Sequence, residues 1–288
     1  MTTATVERML PLYEAKMLDA YDHRDADVFK SATAEKRQNQ PRYLSDLEKS
    51  DPFREAIPIA WVREEVVRDD LPLWLAGFSD VTSSTNERTV KAAALPRAGV
   101  ANSYPLIVAD GRALLLTVFN SFVFDYVARM SVAGLHINFF LVKQLPALAP
   151  SVLNSPCSWG HGSTAEWLSP RVAYLSCTSW SMAPMAEELT GTRQVFPWSP
   201  DQRELVRAEI DAAMFHLYGV SRDDVDYIMD AFPSVKKDDE MAHGEYLTKR
   251  LILEVYDAMQ TAIDTGVPYQ SIVDMQPLVI SPDERRSS

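Results

Sequence analysis

Between two apolar runs of the chain lies a short polar string, Ser84-Thr85-Asn86-Glu87-Arg88-Thr89, whose hydroxyls, amide and guanidinium are groups that hydrogen-bond phosphate oxygens and base edges. Arg88 carries particular weight, because a guanidinium offers two parallel donors to guanine or to a phosphate. The same string also reads as a capped turn in which Glu87 and Arg88 balance each other's charge. A second candidate is the His136-Ile137-Asn138 string at the head of the run INFF, where the polar pair suits either a buried, hydrogen-bonded role or a contact surface. Arg129 complements a helix macrodipole as readily as it reaches a ligand.

Other chemistries lack their residues. The ten glycines show neither GxGxxG nor GxxxxGK[ST] spacing, which leaves no Rossmann nucleotide loop and no P-loop, and GxSxG is absent. Cys157 and His161 make at most half a metal site, so the spacing assigns no metal. Lys236-Lys237-Asp238-Asp239-Glu240 has the charges of a metal-dependent nuclease in the wrong order and reads as a solvated cluster. No activating constellation surrounds His136 or Asp125, the two residues around which an unrelated enzyme would have to be built.

Elements to position these strings follow from patterning. Short apolar runs lie in Pro11–Arg24, in IPIAWV ending at Val62, in LPLWLAGFSDV ending at Val81, in VKAAALP (Val90–Pro96) and in YPLIVA (Tyr104–Ala109), and together predict a small curved sheet. Ser31–Gln40 is polar and reads as a loop. From Ala113 to Met130 apolar residues recur at three- and four-residue steps, the pattern of one amphipathic helix, after which INFFLVKQLPAL reads as extended. Ser199-Pro200-Asp201 opens a helix to about Tyr218. Ser221 caps another through Asp230, and Gly244–Thr265 carries a third that Gly266 and Pro268 end. The expected fold is α/β (α+β): a small curved mixed sheet module with packed helices over residues 1–150, an irregular connector with short helices over 151–198, and a helical C-terminal domain over 199–288.

With 288 residues and 47% hydrophobic content the chain can bury a substantial core. No apolar stretch is long enough to span a membrane, the N-terminus lacks a secretory pattern, and two cysteines make no disulfide framework; the sequence therefore points to a cytoplasmic protein with reduced thiols. The net charge of -12 opposes nucleic-acid binding. It is unevenly spread, however: between Ser83 and Lys143 the cations Arg88, Lys91, Arg97, Arg112, Arg129 and Lys143 outnumber Glu87, Asp110 and Asp125, and the acidic residues gather after Pro200. A locally basic face and an acidic half that docks a basic partner are both compatible with this charge.

Taken in order, PLYEAKMLDAYDHR, AWV, STNERT with LPRAGV, NSFVFDYVAR and HINFFLVKQLP resemble the C-terminal target-recognition (TaqI-like specificity) region of Eco-type N6-adenine-specific DNA methyltransferases of restriction-modification and phage-defence systems. DAAMFHLYGVSRDDVDYIMDAFP and AHGEYLTKRLILEVYDAM resemble that family's helical tail, so the likeness covers nearly the whole chain. It implies a sequence-specific module that reads double-stranded DNA for a methyltransferase domain or subunit, with a helicase or nuclease of the same system as a further partner. The implied DNA contacts are Thr85, Asn86, Arg88, Arg97, Asn138 and Lys143.

The family's (N/D/S)PP(Y/F) tetrapeptide, which grips a flipped adenine, is absent; Asp51-Pro52-Phe53 lacks the second proline and reads as a turn. The resemblance thus implies a recognition half without catalytic residues or a cofactor site, S-adenosylmethionine being held by the methylase partner or an upstream domain. Ile59 and Ala60 depart from the polar arginine and aromatic pair that the family usually has before the tryptophan. The competing expectation is a protein-interaction scaffold that docks a methylase, helicase or nuclease through the acidic helical half.

Overall fold

The structure, a computed structural model, describes residues 7–35, 38–82, 86–132, 134 and 136–279. In chain order the N-terminal half forms β1 (Met9–Tyr13), β2 (Ala26–Lys30), β3 (Asn39–Tyr43), α1 (Asp46–Ser50), β4 (Trp61–Arg63), β5 (Trp74–Phe78), β6 (Ala92–Pro96), β7 (Gly99–Val100) and β8 (Leu106–Ile107). Helices follow: α2 (Arg112–Phe119), α3 (Phe122–Ser131), α4 (Phe139–Val142), α5 (Pro150–Leu153), α6 (Thr164–Ser176) and α7 (Ala183–Thr190). The C-terminal half is α8 (Pro200–Leu217), α9 (Arg222–Asp230), α10 (Pro233–His243) and α11 (Leu247–Thr265). The fold is mixed α/β, as the sequence predicts.

The strands build three small sheets rather than one. β1 lies between β4, antiparallel, and β7, parallel; β2 and β3 form a hairpin; β5 lies antiparallel between β6 and β8. The sheet around β5 is covered on both faces, which explains why WLAGF and AAALP read as continuous apolar runs. Trp74, Ala76, Phe78, Ala92 and Ala94 enter the large core shared with the helices. The alternate residues Leu75, Ala93 and Leu95 enter a second core with Tyr13, Met17, Leu18 and Tyr104. Gly77 is required by close approach: a Cβ there would lie 2.5 Å from the Tyr104 ring and 2.6 Å from the Pro105 carbonyl. Tyr104 in turn donates to the Gly77 carbonyl at 2.8 Å and accepts from Ala93 N–H at 2.8 Å.

Three local expectations change. β1 covers only Met9–Tyr13 of the segment read mainly as strand; a 3-10 turn at Ala15–Met17 follows, then a turn in which Tyr21 takes a φ of +60°. The single helix predicted over Ala113–Met130 is two helices bent by 68°. Ser121 adopts extended backbone and caps α3 by accepting from Phe124 N–H, while the Phe122 N–H is taken by Asp211. Both helices keep their apolar faces on the same core, so the periodicity runs through the break unaltered. INFFLV, read as extended, contains α4, because Asn138 caps it by accepting from Leu141 N–H at 3.1 Å.

The C-terminal helices match the start and stop residues. Pro200 opens α8, Ser221 caps α9, and Gly266 in left-handed conformation ends α11; Ser199, at the cap position of α8, makes no side-chain cap bond. The stretch 151–198 contains more than a connector. α6, 13 residues long, puts Leu168, Val172, Ala173 and Leu175 into the large core between sheet and C-terminal helices. Its buried Arg171 pairs with the buried Glu209 of α8 at 2.7 Å and donates to the Trp167 carbonyl, and Glu209 also accepts from Tyr269 and Ser271, so both oxygens of this buried carboxylate are occupied. Among the described residues no single helix is long and apolar enough to cross a membrane.

Arg24 ties the N-terminal half to the segment after α6. Its guanidinium, wholly buried, donates to the carbonyls of Lys49, Asp51, Arg54 and Thr178 at 2.7 to 2.9 Å. Arg24→Met leaves those acceptors unpaired and is expected to cost about 3 kcal/mol or more in a urea unfolding titration. Unchanged stability would refute this role.

Candidate nucleic-acid interface

The polar string singled out above falls in the connection between β5 and β6, and the HIN string lies beside it. Ser79 N–H donates to the Lys91 carbonyl at 2.9 Å, and Thr82 Oγ1 donates to the Thr89 carbonyl, closing the base of the loop. Val81 bridges to His136, and Ile137 N–H donates to the Asp80 carbonyl at 2.8 Å. Residues 79–82 and 86–91, the described part of this loop, and the HIN turn some fifty residues on therefore form one ridge.

Buried polar side chains of α3 and its entry hold the ridge from behind. One Asp125 oxygen accepts from Thr89 N–H at 2.8 Å and from Val90 N–H at 2.7 Å. Its other oxygen pairs with Arg129 at 2.9 Å, and Arg129 donates onward to the Glu87 carbonyl at 3.2 Å. Asn120 accepts from Ala92 N–H and donates to the Ala92 carbonyl, at 2.9 and 2.8 Å, extending β6 as a further strand would. Neither Asn120 nor Asp125 was singled out as a contact residue from sequence. The available signal was position: Asp125 stands among Phe122, Val123, Phe124 and Ala128 on the apolar face of its helix, where a carboxylate needs partners.

The six residues expected at DNA take different positions. Asn86 and Lys143 are exposed on or beside the ridge, together with Glu87, Met130, His136 and Phe140. Asn138 spends its side-chain oxygen on capping α4. Arg97 donates to the carbonyls of Val67 and Arg68 and pairs with Asp69 at 3.2 Å, away from the ridge. Arg88 turns inward: its guanidinium lies 3.2 Å over the Phe122 ring and 3.6 Å from Asp211. It pairs with α8 rather than with Glu87, the partner a local reading supplies. Thr85 lies outside the described residues.

Behind Arg88, two small clefts share the walls Glu87, Arg88, Arg207 and Asp211. Burial pushes the Asp211 carboxyl up to about 6, against the pull of Arg88 and of the Phe122 N–H. Arg129 packs 3.9 Å over the Phe232 ring, so it does more than complement the end of its helix.

Among the described residues near the ridge none forms a nucleophile with an oriented base. His136 is exposed, 3.7 Å from Asp80. Elsewhere, buried His23 reaches both Ser179 at 3.0 Å and Glu55 at 3.4 Å, but through the same Nε2, whereas an acyl-transfer triad uses both ring nitrogens. Cys157 and Cys177 are buried free thiols, each pushed above the usual thiol range by burial. Among the described residues no group of three or more His, Cys, Asp or Glu side chains is placed to hold a metal ion. No family model, curated protein or solved structure matches the chain.

Asp125→Ala is expected to cost about 3 to 5 kcal/mol, because it strands two buried N–H groups and Arg129, and to speed hydrogen exchange at the Thr89 and Val90 amides. Asp125→Asn, which keeps an acceptor, should lose less; equal losses would count against the tether. Asp211 supplies a pH test. A carboxyl whose folded pKa lies above its unfolded value stabilises the fold while protonated, and that contribution disappears as pH climbs through about 6. Wild type should therefore gain melting temperature relative to Asp211→Asn as pH falls from about 7 to about 4. A difference that stays constant over that range would contradict the raised pKa.

Proposed function

We propose that this chain is the target-recognition region of an N6-adenine DNA methyltransferase system of the restriction-modification or phage-defence type. It reads duplex DNA with the ridge made by residues 79–82, 86–91 and the HIN turn, while S-adenosylmethionine and the reacting adenine are held by a methylase domain or subunit. The observation that carries this reading is that the described part of the loop bearing the STNERT string meets the HIN turn, both assigned to the DNA side by the family resemblance, on one ridge pinned by Asp125 and Asn120. Exposed Asn86, His136, Phe140 and Lys143 suit groove contacts by amide, imidazole, aromatic and ammonium groups.

The same geometry divides the binding energy. Arg88 and Arg97 are engaged within the protein, and the net charge is -12, so Lys143 is the exposed cation that the ridge offers to phosphate among its described residues. Phosphate affinity then falls chiefly to the methylase. The exposed acids of α9 and α10, Asp223, Asp224, Asp230, Asp238 and Glu240, suit a basic surface on that partner. Docking alone, without DNA reading, is the second reading this acidic face supports.

The test is fluorescence anisotropy with varied labelled duplexes at low salt, for the chain alone and with a methylase of the same system. Salt-sensitive binding is expected, tighter with the methylase. Lys143→Ala should weaken all sequences alike and reduce the salt slope by about one, as for a single phosphate contact. Absence of duplex binding in both formats refutes the proposal, and methylase binding that survives without any DNA response selects the docking reading.

A further inference from the structure

The smaller cleft behind Arg88 has a volume of about 80 Å³ and is walled by the 19–21 turn, the loop at Glu87 to Lys91, Asn120 at the entry to α3, and Arg207 and Asp211 of α8. Its polar groups do not balance. Lys91 and Asp19 pair with each other at 2.8 Å, and Asp211 takes the Phe122 N–H and faces Arg88. Asn120 exchanges two hydrogen bonds with the Ala92 backbone and turns its remaining amide N–H toward the Tyr21 hydroxyl, and the Glu87 side chain is exposed. Three groups remain without a hydrogen-bond partner although buried: the Tyr21 hydroxyl, Nη1 of Arg88 and Nε of Arg207. The two guanidinium nitrogens are donors and the hydroxyl can donate, and Arg207, which donates from Nη2 to the Ala20 carbonyl at 3.3 Å, feels Asp211 and Glu204 without an ion-pair contact to either.

Buried donors left unpaired are costly, and three groups able to donate on one cleft, two of them guanidinium nitrogens, call for a ligand made of acceptors. Tyr21 is further held there with a φ of +60°, a conformation that costs an L residue energy and is kept only where the surroundings impose it. Its N–H donates to the Ala92 carbonyl, which fixes the turn against β6. The adjoining cleft, about 160 Å³, carries Glu204, Asp238 and Asp239.

We infer that this cleft is a binding site for a phosphate-class oxyanion, held by Tyr21, Arg88 and Arg207. A tetrahedral oxyanion matches the size of the cleft, whereas a nucleoside exceeds it. Because Arg88 belongs to the loop and Arg207 to α8, the bound anion links the ridge to the C-terminal helices.

The experiment is isothermal titration and thermal unfolding of the whole chain with inorganic phosphate exchanged for chloride at constant ionic strength. A saturable rise in melting temperature is expected. In Arg207→Gln the titration midpoint should move about tenfold higher or more, as it should in Tyr21→Phe, which removes only the hydroxyl. General salting-out by phosphate would act on wild type and variants equally, and that equality, or the absence of saturation, overturns the inference. A labelled duplex identifies the source of the oxyanion: displacement by phosphate assigns the site to a backbone phosphodiester, and simultaneous binding assigns it to a free anion, both consistent with the site. The phosphate titration needs no DNA, so its failure is separate from failure of the recognition reading.

Discussion

A single buried carboxylate, Asp125, sets the conformation of the candidate surface. Placing an ionised group inside a protein is tolerated only when its lone pairs are occupied, and here they take two consecutive backbone N–H groups and a guanidinium. Because those N–H groups belong to Thr89 and Val90, the carboxylate fixes how the polar loop enters β6. Arg129 carries the constraint on to the Glu87 carbonyl and to Phe232, so the loop, α3 and the segment before α10 are one hydrogen-bonded and stacked unit.

That unit depends on a scaffold in which sheet and helices share one interior. β5 and β6 send alternate side chains to opposite faces, and the face bearing Trp74, Ala76, Phe78 and Ala94 joins a core that extends through α6 and α8 to α11. The small side chains of β6 let Tyr104 and α2 approach closely. The boundary near residue 150 that composition suggests is crossed by this core, so the ridge and the C-terminal helices are mechanically connected.

The charges are arranged to the same end. Cations that composition places in a basic stretch are mostly consumed inside: Arg88 over Phe122, Arg112 over Trp74, Arg129 over Phe232 and Arg97 on backbone carbonyls. Guanidinium groups used this way contribute packing and orientation rather than long-range attraction.

What the sequence determined by itself were features encoded by residues close to one another along the chain. The 3.6-residue apolar period, with Pro200, Ser221 and Gly266 as punctuation, marks α8, α9 and α11, and the runs WLAGF and AAALP mark the two-faced sheet. The same local reading located both strings of the ridge. It missed the break between α2 and α3, because both sides of the break face one core and the interrupting partners, Ala92 and Asp211, are distant in sequence. It also missed the inward turn of Arg88, since composition counts a charge but does not say which carboxylate or ring receives it. Tertiary structure alone decided these points: a buried polar group is positioned by whichever partner the fold brings within hydrogen-bonding reach, and local periodicity carries no record of that partner.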